Sequence, residues 1–244
     1  MAPAHPIVAM FEARGGAGRA AGPSLSVGLL AADLMALGGG VARLERAGVR
    51  LAHFDVMDGC YVPTLTVGPP FVKAVRTSML KDVHLMIREP LPSLREYVAA
   101  GADLVTIHPD ACAHPHRALQ WLGEARTARD PERAVARGVA LNPGVPLGVL
   151  EPLIDEVELV TLVAINPGWG GQACVPSIFR RIDAVRERIA ASGRAILLAV
   201  DGGITRDNVG ALAGRGVAIV VTGSAVFDGD VEANLAAMTA ALRG

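Results

Sequence analysis

The sequence predicts an α/β protein, a single-domain (β/α)8 TIM barrel, on three observations. The chain has 244 residues, close to the ~250 of one such barrel. It is 51% hydrophobic but only 4% aromatic, a balance that suits parallel strands of small aliphatic residues covered by helices. Apolar runs of strand length alternate with segments of helical period from residue 27 onward.

The elements follow in order. Residues 1–24 are rich in Ala, Gly and Pro. They lack the basic start and apolar stretch of a signal peptide, so they are expected to be a flexible extension ahead of a barrel over 25–244. The first predicted pair is strand Val27–Ala31 and helix Met35–Ala47, stopped by Ala47-Gly48. Strand Leu51–Met57 precedes helix Pro70–Ser78, and strand Val83–Ile87 precedes helix Pro92–Ala100, stopped by Ala100-Gly101. Strand Leu104–His108 leads to helix His116–Ala128, and Gly138–Asn142 to Leu147–Ile154. Strand Leu159–Asn166 leads to helix Ser177–Ala191, Ala195–Asp201 to Arg206–Ala213, and Ala218–Thr222 to Val231–Leu242. Each unit averages roughly 27 residues, within the range of a TIM barrel. An open doubly wound sheet competes, but similar units with no topological break favour closure.

Charge and composition exclude several roles. The formal net charge is −1 and no basic stripe appears, so nucleic acid is not an expected partner. The longest uncharged stretch, Leu159 to Phe179, is broken by Asn166-Pro167-Gly168-Trp169-Gly170-Gly171-Gln172. A membrane helix needs about 20 apolar residues, so no membrane association is expected. Cys60, Cys112 and Cys174 are odd in number and lack zinc-finger spacing, which fits a reduced, cytoplasmic setting.

Polar residues recur at the ends of predicted strands: Asp55, His84, His108, Asn142, Asn166 and Asp201. In a TIM barrel that rim carries the active site. His53 and Asp55 are two apart on one strand and face the same side. With His84 on the next strand and Asp201 on the seventh, they make an N2O2 set for one divalent cation, suited to Zn, Fe, Mn or Co rather than Ca or Mg. Taken singly, His53 or His84 reads as an ordinary core histidine. The loop Asn166–Gln172, Asp201-Gly202-Gly203 and Thr222-Gly223-Ser224 follow three successive strands. Such small-residue turns let backbone N–H groups approach an anion, and phosphate in these barrels often binds there. A cation beside a phosphate cradle and two rim acids points to carbon-acid chemistry on a sugar phosphate.

These segments carry a resemblance. Asp55-Val56-Met57-Asp58-Gly59, Val62-Pro63, Gly68-Pro69-Pro70, Asp82-Val83-His84-Leu85-Met86-Ile87, Asn166-Pro167-Gly168, Gly170-Gly171-Gln172, Val200-Asp201-Gly202-Gly203-Ile204 and Gly223-Ser224-Ala225 resemble the ribulose-phosphate 3-epimerase family. The resemblance runs from about Ser26 to the C-terminus. It implies a metal-dependent isomerase of the pentose phosphate pathway, converting D-ribulose 5-phosphate to D-xylulose 5-phosphate through an enediolate. It implies His53, Asp55, His84 and Asp201 as metal ligands, Asp55 as proton acceptor and Asp201 as proton donor. His84, Gly168, Trp169, Gly170, Gly171, Gly202, Gly203, Gly223 and Ser224 match substrate or phosphate contacts, and Met57 and Met86 match apolar residues lining the site. It also implies a homo-oligomer. For any methionine on its own, core packing is the default.

The chain departs from the family at Gly28, where a substrate-binding serine is usual, and at Val163, where a methionine is common. Ser24 and Ser26 could replace that serine only if the first strand slips. Cys60, Tyr61 and Thr64 also differ. These changes bear on substrate identity, so the 3-epimerase of a related ketose phosphate such as allulose 6-phosphate is an alternative, as is a non-catalytic sugar-phosphate-binding paralogue. Decarboxylases and aldolase-type barrels typically rely on a rim lysine, and Lys81 precedes a strand instead.

Overall fold

The computed structural model describes residues 5–12 and 23–243. Eight parallel strands close into one barrel in sequence order: β1 (Ser24–Gly28), β2 (Leu51–Met57), β3 (Leu80–Met86), β4 (Leu104–Ile107), β5 (Ala136–Leu141), β6 (Leu159–Val163), β7 (Leu197–Asp201) and β8 (Ile219–Thr222). The ring closes where Ser24 to Val27 pair with Ile219 to Thr222. Helices α1 (Pro6–Glu12), α2 (Leu37–Arg46), α3 (Pro69–Ala74), α4 (Leu94–Ala99), α5 (Pro115–Glu124), α6 (Ile178–Ser192), α7 (Ser224–Phe227) and α8 (Val231–Arg243) accompany them.

The period of two along each strand divides the core. Outward residues such as Ala52, Phe54, Val56, Val83 and Leu85 pack under the helices in one large cluster. Inward residues at the strand starts, Leu51, Leu80, Leu104, Leu159, Leu197 and Ile219, form a second cluster at the barrel floor. One register step higher the interior turns polar, with Ser26, His53, Asp82, Thr106 and Thr161 all buried. The strand ends above them carry Gly28, Asp55, His84 and Asp201.

Four elements differ in type or placement from the sequence-based expectation, and the bounds of others move by up to four residues, as where β3 begins at Leu80 and α3 ends at Ala74. β1 lies three residues earlier than Val27–Ala31, and Leu29–Ala31 forms a 3-10 turn instead. The apolar run misleads because serines face the interior here: Ser26 Oγ donates to Asp82 Oδ2 at 2.8 Å. Helices expected over Leu147–Ile154 and Arg206–Ala213 are 3-10 segments, Leu147–Leu150, Ile154–Glu156 and Val209–Leu212. Pro152 interrupts the first region, and Gly210 lies within the second; both are poor α-helix formers.

The fourth difference is at the N-terminus. Within the extension expected over residues 1–24, Pro6–Glu12 is helical and docked, whereas 13–22 lie outside the described residues. Ile7 and Val8 are fully buried and Phe11 is 8% exposed, against the floor cluster. Arg50 lies 4.5 Å over the Phe11 ring, and His5 Nε2 is 3.1 Å from the Ala134 carbonyl. The apolar floor of the barrel is thus covered by the chain's own first helix.

Burying such a side chain contributes about 1.5–3 kcal/mol. Ile7→Asp is therefore expected to undock α1 and lower the melting temperature by a few degrees, since 1 kcal/mol shifts a chain of this size by about 2–4 °C. The site at the opposite end should be untouched. A melt unchanged from wild type would show that α1 contributes nothing at the floor.

Candidate metal centre and its cleft

The inward positions at the C-terminal ends of β2, β3 and β7 meet at one point. His53 Nε2 lies 3.2 Å from Asp55 Oδ1 and 3.8 Å from Asp201 Oδ2. His84 Nδ1 lies 3.1 Å from Asp201 Oδ2 and 3.9 Å from Asp55 Oδ1. One donor atom from each of the four side chains falls within 4.8 Å of every other. Ligands at about 2.0–2.2 Å from one ion are separated by about 3–4 Å, so the spacing fits a shared cation. His53 Nε2 makes the stronger case. It is buried without a hydrogen-bond partner, although Asp55 is close. Two ligand atoms 3.2 Å apart without hydrogen-bond geometry are spaced as they would be around a common ion. The donor set suits a transition metal.

Each imidazole is held from behind. His53 Nδ1–H donates to Asp82 Oδ2 at 2.8 Å, and the same oxygen accepts from Ser26. Burial works against a charge on His53, but Asp82 and Asp55 outweigh it and raise its pKa well above the ordinary imidazole value. Burial likewise pushes the Asp55 carboxyl up, and His53 more than reverses this, leaving it below the usual value. His84 Nε2 lies 2.9 Å from His108 Nε2. Burial, followed by the neighbouring His84, keeps His108 well below the ordinary imidazole value, so it is neutral.

A cleft of ≈ 560 Å³ opens above the cluster. Its walls include Asp55, Asp201, Met57, Met86, Gly168, Trp169, Gly170, Gly171, Gly202, Gly203, Gly223 and Ser224. The structure brings these sequence-selected residues together along one cleft. His53 and His84 do not line it; they are buried just beneath, 2% and 1% exposed. His84 thus lies in the four-residue cluster and not in direct contact with the cleft in this conformation.

The loop after β6 is fixed by short-range chemistry. Gln172 Nε2 donates to the carbonyls of Asn166 and Trp169 at 2.6 and 2.7 Å. Thr64 Oγ1 donates to the Gly168 carbonyl at 2.7 Å. Gly168 has φ +92°, and a Cβ there would come within 2.6 Å of Pro63 Cδ. The Val62-Pro63 and Asn166-Pro167-Gly168 segments are therefore two sides of one contact. Asp58 has a scaffolding role: its carboxylate accepts from the backbone N–H of Cys60, Tyr61 and Arg88.

Gly28 lies in the cleft wall, not inside the strand packing. A Cβ there would meet Gly223 Cα at 3.6 Å and Asp55 Oδ2 at 3.7 Å, ordinary contacts. Ser26 lies one step deeper and is committed to Asp82, so it does not stand in at the cleft. The sequence assigns Asp82 no role, and Ser26 only that of a replacement for the missing serine if the first strand slips. Asp82 is two residues before His84 and pairs with His53 in register; that inward position was the signal available.

Known proteins resemble this chain in sequence and in fold. Residues 24–227 match the model of the Ribulose-phosphate 3 epimerase family. Among curated proteins, the chain is 39% identical over 202 residues to ribulose-phosphate 3-epimerase of Bacillus subtilis, covering 82% of this chain and 89% of that protein. It is 41% identical over 210 residues to ribulose-phosphate 3-epimerase 1 of Cupriavidus necator, covering 83% of each. Among solved structures, KGPDC from Streptococcus mutans superposes with a TM-score of 0.67 at 15% identity, over 91% of this chain and 98% of that one; at that identity it shares the fold alone.

Asp82→Asn removes the anionic acceptor from His53. Changing such an outer partner typically costs 10–100-fold in metal affinity, and a weakening of about that size is expected in a Co2+ titration. Wild-type affinity in the variant would remove Asp82 from the account.

Proposed function

The chain belongs to the ribulose-phosphate 3-epimerase family, and on that premise we propose that it interconverts D-ribulose 5-phosphate and D-xylulose 5-phosphate with a divalent cation held by His53, Asp55, His84 and Asp201. It is an epimerase of the isomerase class. The observation that carries the reading is the pair of carboxylates, each presenting one oxygen to the imidazoles at the mouth of the cleft. When bound, the cation would polarise the ketose carbonyl and stabilise negative charge on its oxygen.

The chain's own residues supply the proton transfers. Asp55 Oδ1 faces His53, and Oδ2 lies on the Gly28 side of the cleft; that oxygen takes the C3 proton. Asp201 Oδ2 faces His84, and its second oxygen returns a proton to the other face of C3. The two acids come from strands β2 and β7, separated in the ring by β8 and β1, which supports assigning them to different faces of the substrate. The His53 contact that lowers the Asp55 pKa keeps that group ionised as a base. Met57 and Met86 are apolar parts of the cleft lining, suited to lie beside the reacting carbon. The Gly202-Gly203 and Gly223-Ser224 turns, with the 168–171 loop, hold the phosphate through backbone N–H groups.

A lyase or aldolase reading lacks its cation. Lys81 is buried and donates to the carbonyls of Val72 and Ala100 outside the barrel. No helix among the described residues is long and apolar enough to cross a membrane. The family also leads us to expect a homo-oligomer, to be measured by sedimentation.

Asp55→Asn and Asp201→Asn are each expected to cut turnover at least about 10²–10⁴-fold, the usual contribution of a positioned acid or base. Metal content is measured alongside, because both residues are ligands. In D2O the wild type should introduce deuterium at C3 without carbon–carbon cleavage. Near-normal turnover in either metal-replete variant would end the two-acid reading.

The space beside Gly28 favours a second substrate, a hexulose 6-phosphate such as allulose 6-phosphate, and a panel of pentulose and hexulose phosphates separates the two. Gly28→Ser meets no steric barrier, since the backbone there has φ −67° and ψ 110°. One neutral hydrogen bond is worth about 0.5–1.5 kcal/mol, so KM for the pentulose phosphate should fall about 2- to 10-fold. An unchanged KM would place the Gly28 space away from the substrate.

A further inference from the structure

We propose that His108 is a positioning residue that dictates which ring nitrogen of His84 is free for the cation. The inference rests on the metal reading above and extends it to a side chain that touches neither cation nor cleft.

His84 has two ring nitrogens in different surroundings. Nδ1 faces the carboxylates, 3.1 Å from Asp201 Oδ2 and 3.9 Å from Asp55 Oδ1. Nε2 faces away from them, 2.9 Å from His108 Nε2. The two rings are nearly parallel, with planes at 14°, and centroids 5.0 Å apart, so the nitrogens meet edge to edge. A neutral imidazole carries one N–H and one lone pair. A cation on Nδ1 requires the lone pair there, so the proton sits on Nε2 and needs an acceptor. His108 Nε2 is the atom in place to accept it. That choice puts the proton of His108 on its own Nδ1, which is buried without a hydrogen-bond partner, 4.0 Å from Asp110 Oδ1.

The surroundings hold His108 in this role. The Tyr61 ring lies 4.9 Å from it at 49°. The Tyr61 hydroxyl donates to Asp110 Oδ2 at 2.9 Å and accepts from Asn142 Nδ2 at 2.7 Å. Loops after β2, β4 and β5 are thereby joined around one buried imidazole. The two metal-binding histidines are thus supported differently: His53 by the carboxylate of Asp82, His84 by a second imidazole. Hydrogen bonds to the distal nitrogen of a ligating histidine fix its tautomer and orientation.

The test is metal binding by the full-length protein, read with Co2+ and Zn2+ and independent of turnover. His108→Phe keeps a ring but offers no acceptor, and should weaken Co2+ binding about 10- to 100-fold and alter the visible d–d bands. His108→Gln can accept through its amide oxygen and should recover most of the affinity. In 15N-labelled wild type loaded with Zn2+, NMR should find the His84 proton on Nε2 and the His108 proton on Nδ1. A His84 proton on Nδ1 in the loaded protein overturns the proposal, whether or not the variants fold. So does His108→Phe with wild-type affinity and spectrum. A wild type that binds neither cation overturns the metal reading beneath it, which separates the two failures.

Discussion

The hydrogen bond between His53 and Asp82, inside the barrel, is the interaction from which the site is built. Both side chains are almost fully buried, in an environment where an unpaired charge would cost several kcal/mol. Asp82 satisfies one oxygen twice, from His53 Nδ1 and Ser26 Oγ. That fixes the His53 ring with Nε2 pointing up to the cleft. If Asp82 were apolar, the ring could turn and Nε2 would lose its aim. The polar middle layer of the barrel is therefore the foundation of the candidate metal centre, although none of Ser26, Asp82 and Thr106 lines the cleft.

This placement explains the vertical division of the molecule. The floor layer is aliphatic and closed by α1, so it can supply packing energy without polar compromise. The middle layer is polar, and its Ser26–Asp82–His53 Nδ1 chain is satisfied internally, while Thr106 Oγ1 is buried without a partner. Where that layer meets the strand ends above it, partners are incomplete, with His53 Nε2 as the clearest case. Stability and chemistry are separated along the barrel axis, as the fold allows. A helix that plugs the floor can add stability without constraining the rim.

Much of this was legible in the sequence because the strand period is rigid. Once Leu51–Met57 is a strand, His53 and Asp55 must share a face, and the register of β2 with β3 sets His84 opposite Asp55. The glycine turns were legible for a similar reason, since the family pattern names Gly168 and Gly203 and both have positive φ. The first strand was misplaced because apolar content marks Leu29 and Leu30, whereas the buried face holds Ser26, whose partner is 56 residues away. The helix Pro6–Glu12 was missed because its seven residues show no more than one amphipathic turn, and its reason to form is the floor it covers. Asp82 and His108 were visible as residues but not as roles, because a role held through another side chain leaves no spacing to read.

Fold similarity alone would not have chosen the reaction. The superposition on KGPDC is extensive at 15% identity, yet one barrel serves many chemistries. What decides is which inward positions at the strand ends carry acids, imidazoles or amines. Here β2, β3 and β7 supply two of each of the first two, while the lysine nearest the site in sequence, Lys81, points outward because it is one residue out of phase with Asp82. A shift of that parity would exchange a buried structural cation for one inside the barrel. The reaction class thus follows from the two-residue period of β3 as much as from the identity of any single side chain.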